Sequence, residues 1–154
     1  MGSTTETLYD TDFYEWTSHT AELLRERRFD EVDLENLLEE IESLGKSQRK
    51  AVRSQLSRML VHLAKAQIQP ERHGSSWTST ILDARREIRH DLEDSPSLRR
   101  VAVQSLDKLY REAFNDALDE TGLRERAMEF PLPERCPYTL DQLLEADLDT
   151  LLPR

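Results

Sequence analysis

A single apolar period dominates residues 33–70 of this chain. Apolar residues recur there three and four positions apart, which is the spacing of one face of an α-helix. The positions are Leu34, Leu37, Leu38, Ile41, Leu44, Val52, Leu56, Met59, Leu60 and Leu63. Asp33 can cap the start, and Pro70, which lacks an N–H group, disfavours helix at the end. We predict a central helix, and we expect the other elements to cover its apolar side.

Gly45 is the one residue that could divide this stretch. A glycine inside a helix costs about 1 kcal/mol relative to alanine, and it could instead cap a first, shorter helix. The apolar phase nevertheless continues across it, because Leu34 and Val52 lie on the same side of a helix with about 100° per residue. We therefore predict one long helix.

Helix signals recur on both sides of the central stretch, and no strand pattern is present. A first helix is predicted over about residues 12–27, and a third begins at residue 75 or 76. A fourth is expected to start with Ser95 and Pro96 and to end at a glycine cap at Gly122. The sequence thus predicts an all-α, up-and-down bundle of four main helices, with a long central second helix and a short C-terminal helix.

The predicted organisation has three parts. Residues 1–10 are polar and are expected to form a flexible N-terminal arm, whereas residues 11–122 form the helical bundle. Prolines interrupt residues 123–154, so we expect a tail there. A capping box of Thr139 and Gln142 predicts a short helix in this tail that packs on the bundle.

Composition restricts the compartment and the partners. The 154 residues carry a formal net charge of −10, which argues against nonspecific nucleic-acid binding by the whole surface. Cys136 is the only cysteine, so no internal disulfide is possible and a reducing compartment is indicated. Arg135 could lower the pKa of this thiol, but one cysteine in a proline-rich tail is a weak signal for catalysis. With no apolar run of bilayer-spanning length and no signal peptide, we expect a cytoplasmic protein.

Several stretches of the chain match a known family pattern in the right order. They are YDTDFYEWTSHTAELLRERRFDEVDLENLLEEIESLG, HLAKAQIQPERHGSSWTSTILDARREI, SPSL, YREA and CPYTLDQLL. Through them the chain resembles the bacterial family known as domain of unknown function 29. The resemblance implies an all-helical bacterial cytoplasmic protein, and it implies no activity. Ala66 departs from the family pattern, which usually carries tryptophan there, so an aromatic role at this end of the central helix is not carried over.

Polar residues within the matching stretches supply the candidate site. The candidate ligand or partner residues are Glu39, Glu42, His62, Lys65, Gln69, Arg72 and Trp77. The competing interpretation is structural. It takes the glutamates as a solvated face, His62 as a residue at the polar–apolar boundary, and Trp77 as the anchor that holds the 70–76 loop against the central helix.

Two further functions stay open from the sequence. Nucleic-acid binding would use a basic patch, although no aromatic residues are interleaved for base stacking. The patch consists of Lys46, Arg49, Lys50, Arg53 and Arg58, with Arg85, Arg86 and Arg89 as possible additions. A ligand- or metal-dependent enzyme would use His62, Lys65 and Glu42. Glu87 and His90 have the Glu-x-x-His spacing of di-metal bundles but point away from the predicted core face, so no metal and no cofactor is predicted.

The absence of a motif that dictates a chemistry favours a binding role. A small acidic helical protein suits association with a basic or charge-segregated partner, because opposite charges speed and select the encounter. We therefore expect a non-enzymatic protein–protein interaction module of the bacterial cytoplasm. The sequence predicts no oligomeric state.

Overall fold

The computed structural model describes residues 7–72 and 74–153 of the chain. In this part the regular secondary structure is helical throughout, which confirms the predicted all-α fold. The helices are α1 (Leu8–Thr11), α2 (Phe13–Arg25), α3 (Leu34–Ile68), α4 (Ser75–Asp94), α5 (Leu98–Glu120), α6 (Leu140–Glu145) and α7 (Leu148–Leu151), with 3₁₀ turns at Phe29–Glu31, Pro70–Arg72 and Arg124–Glu129. Four of them are long and α3 is the longest, as predicted. None of these helices combines the length and the apolar character that crossing a membrane requires.

Two details of the predicted elements differ. α5 begins at Leu98 rather than at Pro96, because residues 96 and 97 form a turn that precedes the helix. The C-terminal end holds two short helices, α6 and α7, where one was expected. Residues 1–6 of the predicted N-terminal arm lie outside the described residues, and α1 begins at Leu8.

The long helix α3 is continuous through Gly45, which confirms the prediction of one helix. Its start is capped as expected, since the Asn36 N–H donates to Asp33 Oδ1 at 3.2 Å. Its end at Ile68 precedes Pro70, which opens a 3₁₀ turn. The helix has 35 residues and is therefore about 50 Å long.

Two compact units make up the chain, residues 1–46 and residues 47–154, and α3 contributes to both. In the first unit, Trp16, Thr20 and Leu23 of α2 are buried together with Val32. The Tyr9 ring meets the Trp16 ring edge-on, with 4.9 Å between the ring centroids. This aromatic contact joins α1 to α2.

The first turns of α3 do not have a covered apolar side, contrary to the sequence expectation. Leu34 is 65% exposed, Leu38 57%, Ile41 56% and Leu44 68%. Farther along the same helix, Val52 and Leu56 are fully buried. The physical reason is the number of neighbours: among the described residues of the first unit, the helices other than α3 are the short α1 and α2, and two helices do not enclose an apolar stripe.

The second unit has a closed core built from α4, α5, the C-terminal part of α3 and the tail helices. Its fully buried side chains with the largest volumes are Tyr110, Leu56, Met59, Leu60, Leu63, Ile81, Ile88, Leu143 and Val52. The predicted capping box opens α6, since the Gln142 N–H donates to Thr139 Oγ1 and the Thr139 N–H donates to Gln142 Oε1.

Buried Arg85 of α4 attaches this tail to the core. Its Nε–H donates to the Leu143 carbonyl and its Nη2–H to the Ala146 carbonyl, both at 2.8 Å. Arg89 donates to the Leu144 carbonyl in the same way. The last carbonyls of a helix have no partner within the helix, so these guanidinium groups satisfy the end of α6. Arg85 and Arg89 therefore hold the tail against the core.

The glycine cap predicted after α5 is present. Gly122 has a φ of 72°, the Gly122 N–H donates to the Asp119 carbonyl and the Leu123 N–H to the Leu118 carbonyl. These two hydrogen bonds form a Schellman motif. Helix α2 ends in the same way, with Arg27 at the glycine-like position and a φ of 59°.

We predict that Arg27→Gly stabilises the protein by about 0.5–1 kcal/mol. A left-handed backbone costs a residue with a side chain about 1–2 kcal/mol, and the greater freedom of glycine in the unfolded chain offsets part of the gain. Urea unfolding followed by circular dichroism measures the change. Arg25→Gly is the matched control, because Arg25 is the last residue of α2 and has the right-handed helical backbone, so glycine there should destabilise by up to about 1 kcal/mol. A destabilised Arg27→Gly variant would contradict the prediction.

The two glycines at Gly45 and Gly122 should respond to alanine in opposite directions. Gly45→Ala is expected to stabilise by up to about 1 kcal/mol, because Gly45 lies inside a continuous helix. Gly122→Ala is expected to destabilise by about 1 kcal/mol through backbone strain alone, since a Cβ there would meet no heavy atom within 4 Å. The melting temperatures of both variants check this prediction. A shift of the melting temperature in the same direction in both variants would contradict it.

Candidate functional site

The first unit carries an apolar groove, which we call the hairpin groove. It has a volume of about 400 Å³ and lies between α2 and the first turns of α3. Its apolar lining consists of Phe13, Trp16, Ala21, Leu24, Leu37, Ile41 and Leu44. Leu38 lies next to it on α3, 57% exposed, and Phe13 is 49% exposed. Contiguous exposed apolar surface of this kind marks a binding site far more often than isolated apolar side chains do.

One carboxylate, that of Glu40, lines the groove and is held by a neighbouring tyrosine. The Tyr9 hydroxyl donates to Glu40 Oε1 at 2.5 Å. The hydrogen bond to this carboxylate, with some burial, raises the pKa of Tyr9 to about 12. Tyr9 also contacts Trp16 in the groove lining. Tyr9 therefore holds both the Glu40 carboxylate and the Trp16 ring of the groove wall in place.

The unit that contains the groove holds nearly all of the net charge. Residues 1–46 have 13 of the 31 acidic residues and 4 of the 21 lysines and arginines, which gives a formal charge of −9. The candidate residues Glu39 and Glu42 belong to this unit, and both are exposed. The groove is therefore an apolar surface in an acidic setting.

A second group of candidate residues lies in the second unit, where α3 meets the start of α4. His62 and Trp77 have ring centroids 6.1 Å apart, and Lys65 Nζ is 5.9 Å from the centroid of the Trp77 ring. Lys65 also forms an ion pair with Glu120 of α5. Trp77 is partly exposed and lies against α3. The structure thus brings together His62, Lys65 and Trp77, and it adds Glu120.

His62 is the most unusual group in this cluster. Its Nδ1 atom is buried and has no hydrogen-bond partner in the part of the chain that the structure describes. Burial first, and then the positive charge of Lys65, lower the pKa of His62. Glu120 acts in the opposite direction, and Arg58 adds to the lowering. Burial and the neighbouring cations therefore favour the neutral imidazole.

The remaining candidates of the sequence analysis are not gathered into a site. Gln69 is partly buried and Arg72 is exposed in the 3₁₀ turn after α3. Within residues 7–72 and 74–153 no three histidine, cysteine, aspartate or glutamate side chains form a metal-binding group. The suggestion that Arg135 lowers the pKa of Cys136 is wrong, because burial raises the pKa of this thiol to about 11.

The residues of the basic patch do not all line one pocket. Arg49 and Arg53 line a pocket against α5, whereas Lys50 and Arg58 are exposed elsewhere on α3. Lys46 is exposed at the end of the first unit. The sequence did not indicate the α5 side of this pocket, because the residues that complete it are about 50 positions away in the chain.

The hairpin groove was also missed from the sequence. Leu37, Ile41 and Leu44 have the spacing of a core face, and this spacing is the same whether a neighbouring helix or a partner covers them. The only signal that could have suggested the groove is the acidic surplus of residues 1–46 around this apolar stripe.

Comparisons with known proteins identify a family. The family model described as Domain of unknown function DUF29 matches residues 8–148, nearly the whole chain. The comparison with curated proteins and the comparison with solved structures found no match. The family resemblance seen in the sequence is confirmed.

We predict that the free energy of unfolding decreases as the pH falls from about 7 to about 5.5, in part through His62. A histidine has a pKa of about 6.5 in the unfolded chain, and the folded protein lowers the pKa of His62. The stability that neutral His62 contributes is therefore complete above the unfolded pKa and is lost as the pH falls through the folded pKa. Urea unfolding at several pH values measures this slope.

Two variants separate this effect from the titration of carboxylates. The free energy of unfolding of His62→Gln should decrease less than that of the wild type over the same pH range. His90→Gln, at an exposed position of α4, is the matched control substitution. If the free energy of unfolding depends on pH in the same way in the wild type and in His62→Gln, then His62 does not contribute to this dependence.

Proposed function

We propose a function from the surface of the first unit, because the chain belongs to the family described as Domain of unknown function DUF29 and this description names no activity. We propose that the protein is a non-enzymatic interaction module whose hairpin groove binds a basic amphipathic helix of a partner protein. The observation that supports this most directly is the exposed apolar row of Leu38, Ile41 and Leu44.

The energetic argument rests on apolar surface in contact with water. Leu38, Ile41 and Leu44 are each more than half exposed although they lie on a regular helix. Full burial of one leucine or isoleucine side chain contributes about 1.5–3 kcal/mol. A partner that covers this row and the aromatic wall at Phe13 gains several such contributions from one small surface.

The shape of the groove favours a helix as the occupant. The exposed row from Leu34 to Leu44 covers eleven residues of α3, which is about 15 Å or roughly three helical turns. A helix can place apolar residues at positions i, i+3 or i+4, and i+7 into a groove between two other helices. The occupant would thus be a third helix packed against α2 and the first turns of α3.

Charge favours a basic partner over a second copy of the chain. The first unit has a formal charge of −9, so lysines and arginines that flank the apolar face of the partner would find complementary charge. Two copies that meet through their grooves would instead bring two surfaces of −9 together, which is unfavourable at low ionic strength.

The place of action that we propose is the bacterial cytoplasm. Its support is the single cysteine, which cannot form an internal disulfide, together with the family resemblance described from the sequence. The enzyme alternative, with Glu42, His62 and Lys65, has less support. Glu42 belongs to the first unit, whereas His62 and Lys65 belong to the second.

The groove can be tested with a model ligand. We expect the full chain to bind a fluorescently labelled, four-turn amphipathic peptide of leucine and lysine, measured by fluorescence anisotropy. A peptide with glutamate in place of every lysine should bind at least tenfold more weakly. The double variant Ile41→Ser with Leu44→Ser should weaken binding of the basic peptide at least tenfold, because each lost apolar contact contributes more than about 1 kcal/mol.

Leu82→Ser is the matched control, since Leu82 is a 44% exposed leucine on α4 in the other unit, and it should bind like the wild type. Circular dichroism should show all three forms folded. The proposal fails if the two peptides bind equally, or if the double variant binds like the wild type. Self-association in sedimentation experiments that the double variant abolishes would show that a second copy is the occupant.

A further inference from the structure

A pocket of about 530 Å³ lies in the second unit between α3 and α5. Its cationic residues are Arg49 and Arg53, one turn apart on α3, and Lys108 on α5. Val101 and Leu109 supply apolar surface beside them. The pocket shares no lining residue with the hairpin groove, which belongs to the first unit.

Among the described residues, Arg49 and Arg53 form no ion pair with a carboxylate, whereas some other arginines of this protein do. Arg28 and Arg124, for example, each bind a carboxylate with two nitrogens. In the part of the chain that the structure describes, no carboxylate lies within 4.0 Å of Arg49 or Arg53, although Arg49 is partly buried. The sequence explains this in part, because no aspartate or glutamate occurs between Glu42 and Glu71.

The wall of the pocket on α5 orients one of these cations. Arg53 Nε–H donates to Ser105 Oγ at 3.2 Å, and the Ser105 hydroxyl donates to the Val101 carbonyl at 2.6 Å. This chain of hydrogen bonds positions the Arg53 guanidinium and engages only one of its five N–H donors. The one carboxylate of the lining, that of Glu112, is 3.9 Å from Lys108 Nζ, so three positive charges face one negative charge.

We propose that this pocket binds a small organic dianion, a phosphate monoester or a dicarboxylate. Arg49 and Arg53 bind the anionic group, because the planar guanidinium matches the oxygens of phosphate and carboxylate in bidentate geometry. Lys108 adds a third cation, Ser105 is a positioning residue for Arg53, and Val101 and Leu109 contact the apolar part of the ligand. The sequence alone had placed Arg49 and Arg53 in a nucleic-acid-binding patch.

The structure favours a small ligand over a nucleic acid on two grounds. The two arginines converge with Lys108 in a concave pocket, whereas Lys50 and Arg58 of the same patch do not line it. Among the described residues no aromatic side chain lines the pocket, so these residues offer no surface on which a base could stack. A phosphate-tracking surface would instead distribute binding over all the exposed cations.

Isothermal titration calorimetry with the full chain tests the proposal. The probes are phenyl phosphate, glutarate and a single-stranded oligothymidylate. We expect saturable one-to-one binding of phenyl phosphate or glutarate, and the tighter of the two identifies the anion class. Arg49→Gln and Arg53→Gln should each weaken that binding at least fivefold. Lys50→Gln removes the same charge from an exposed neighbour outside the pocket and should change binding less than twofold.

A second measurement does not depend on the folding of variants. In nuclear magnetic resonance spectra of the wild type, the Nε–H signals of Arg49 and Arg53 should shift on titration with the tighter-binding dianion, and that of Arg72 should not. The proposal is overturned if neither dianion binds saturably, or if Lys50→Gln weakens binding as much as Arg53→Gln. It is also overturned if only the oligothymidylate binds.

Discussion

Burial of the apolar side of α3 is the constraint on which the rest of the structure depends. In the second unit, α4, α5 and the tail helices remove Leu56 and Met59 completely from water. The guanidinium groups of Arg85 and Arg89 make this possible, because they satisfy the carbonyls at the end of α6 and allow the tail to cover the core. In the first unit the same helix has fewer neighbours, and Ile41 stays half exposed.

The charges of α3 are segregated along the helix and create two different surfaces. Its acidic residues end at Glu42, and its lysines and arginines begin at Lys46. This segregation extends well beyond the terminal turns, with Glu35 and Lys65, on which the helix dipole acts. It leaves an apolar groove in an acidic unit and, at Arg49 and Arg53, a pocket whose cations lack carboxylate partners among the described residues.

Local signals predicted the helices and their ends because the groups involved are close in the chain. The cap at Asp33, the glycine motif at Gly122 and the capping box at Thr139 each depend on residues within a few positions. The candidate site was predicted only in part. His62, Lys65 and Trp77 do meet, but Glu120, the ion-pair partner of Lys65, was not foreseen, because no local pattern relates α3 to α5.

The sequence by itself determined the all-α fold, the continuity of α3 and the family, since periodicity, caps and matching stretches are properties of neighbouring residues. Only the tertiary structure decided which apolar residues are core. Leu44 and Leu56 belong to the same periodic pattern, yet Leu44 is 68% exposed and Leu56 is fully buried. The physical reason is that burial depends on which elements pack against a residue, and this is settled by contacts between segments that are distant in the chain.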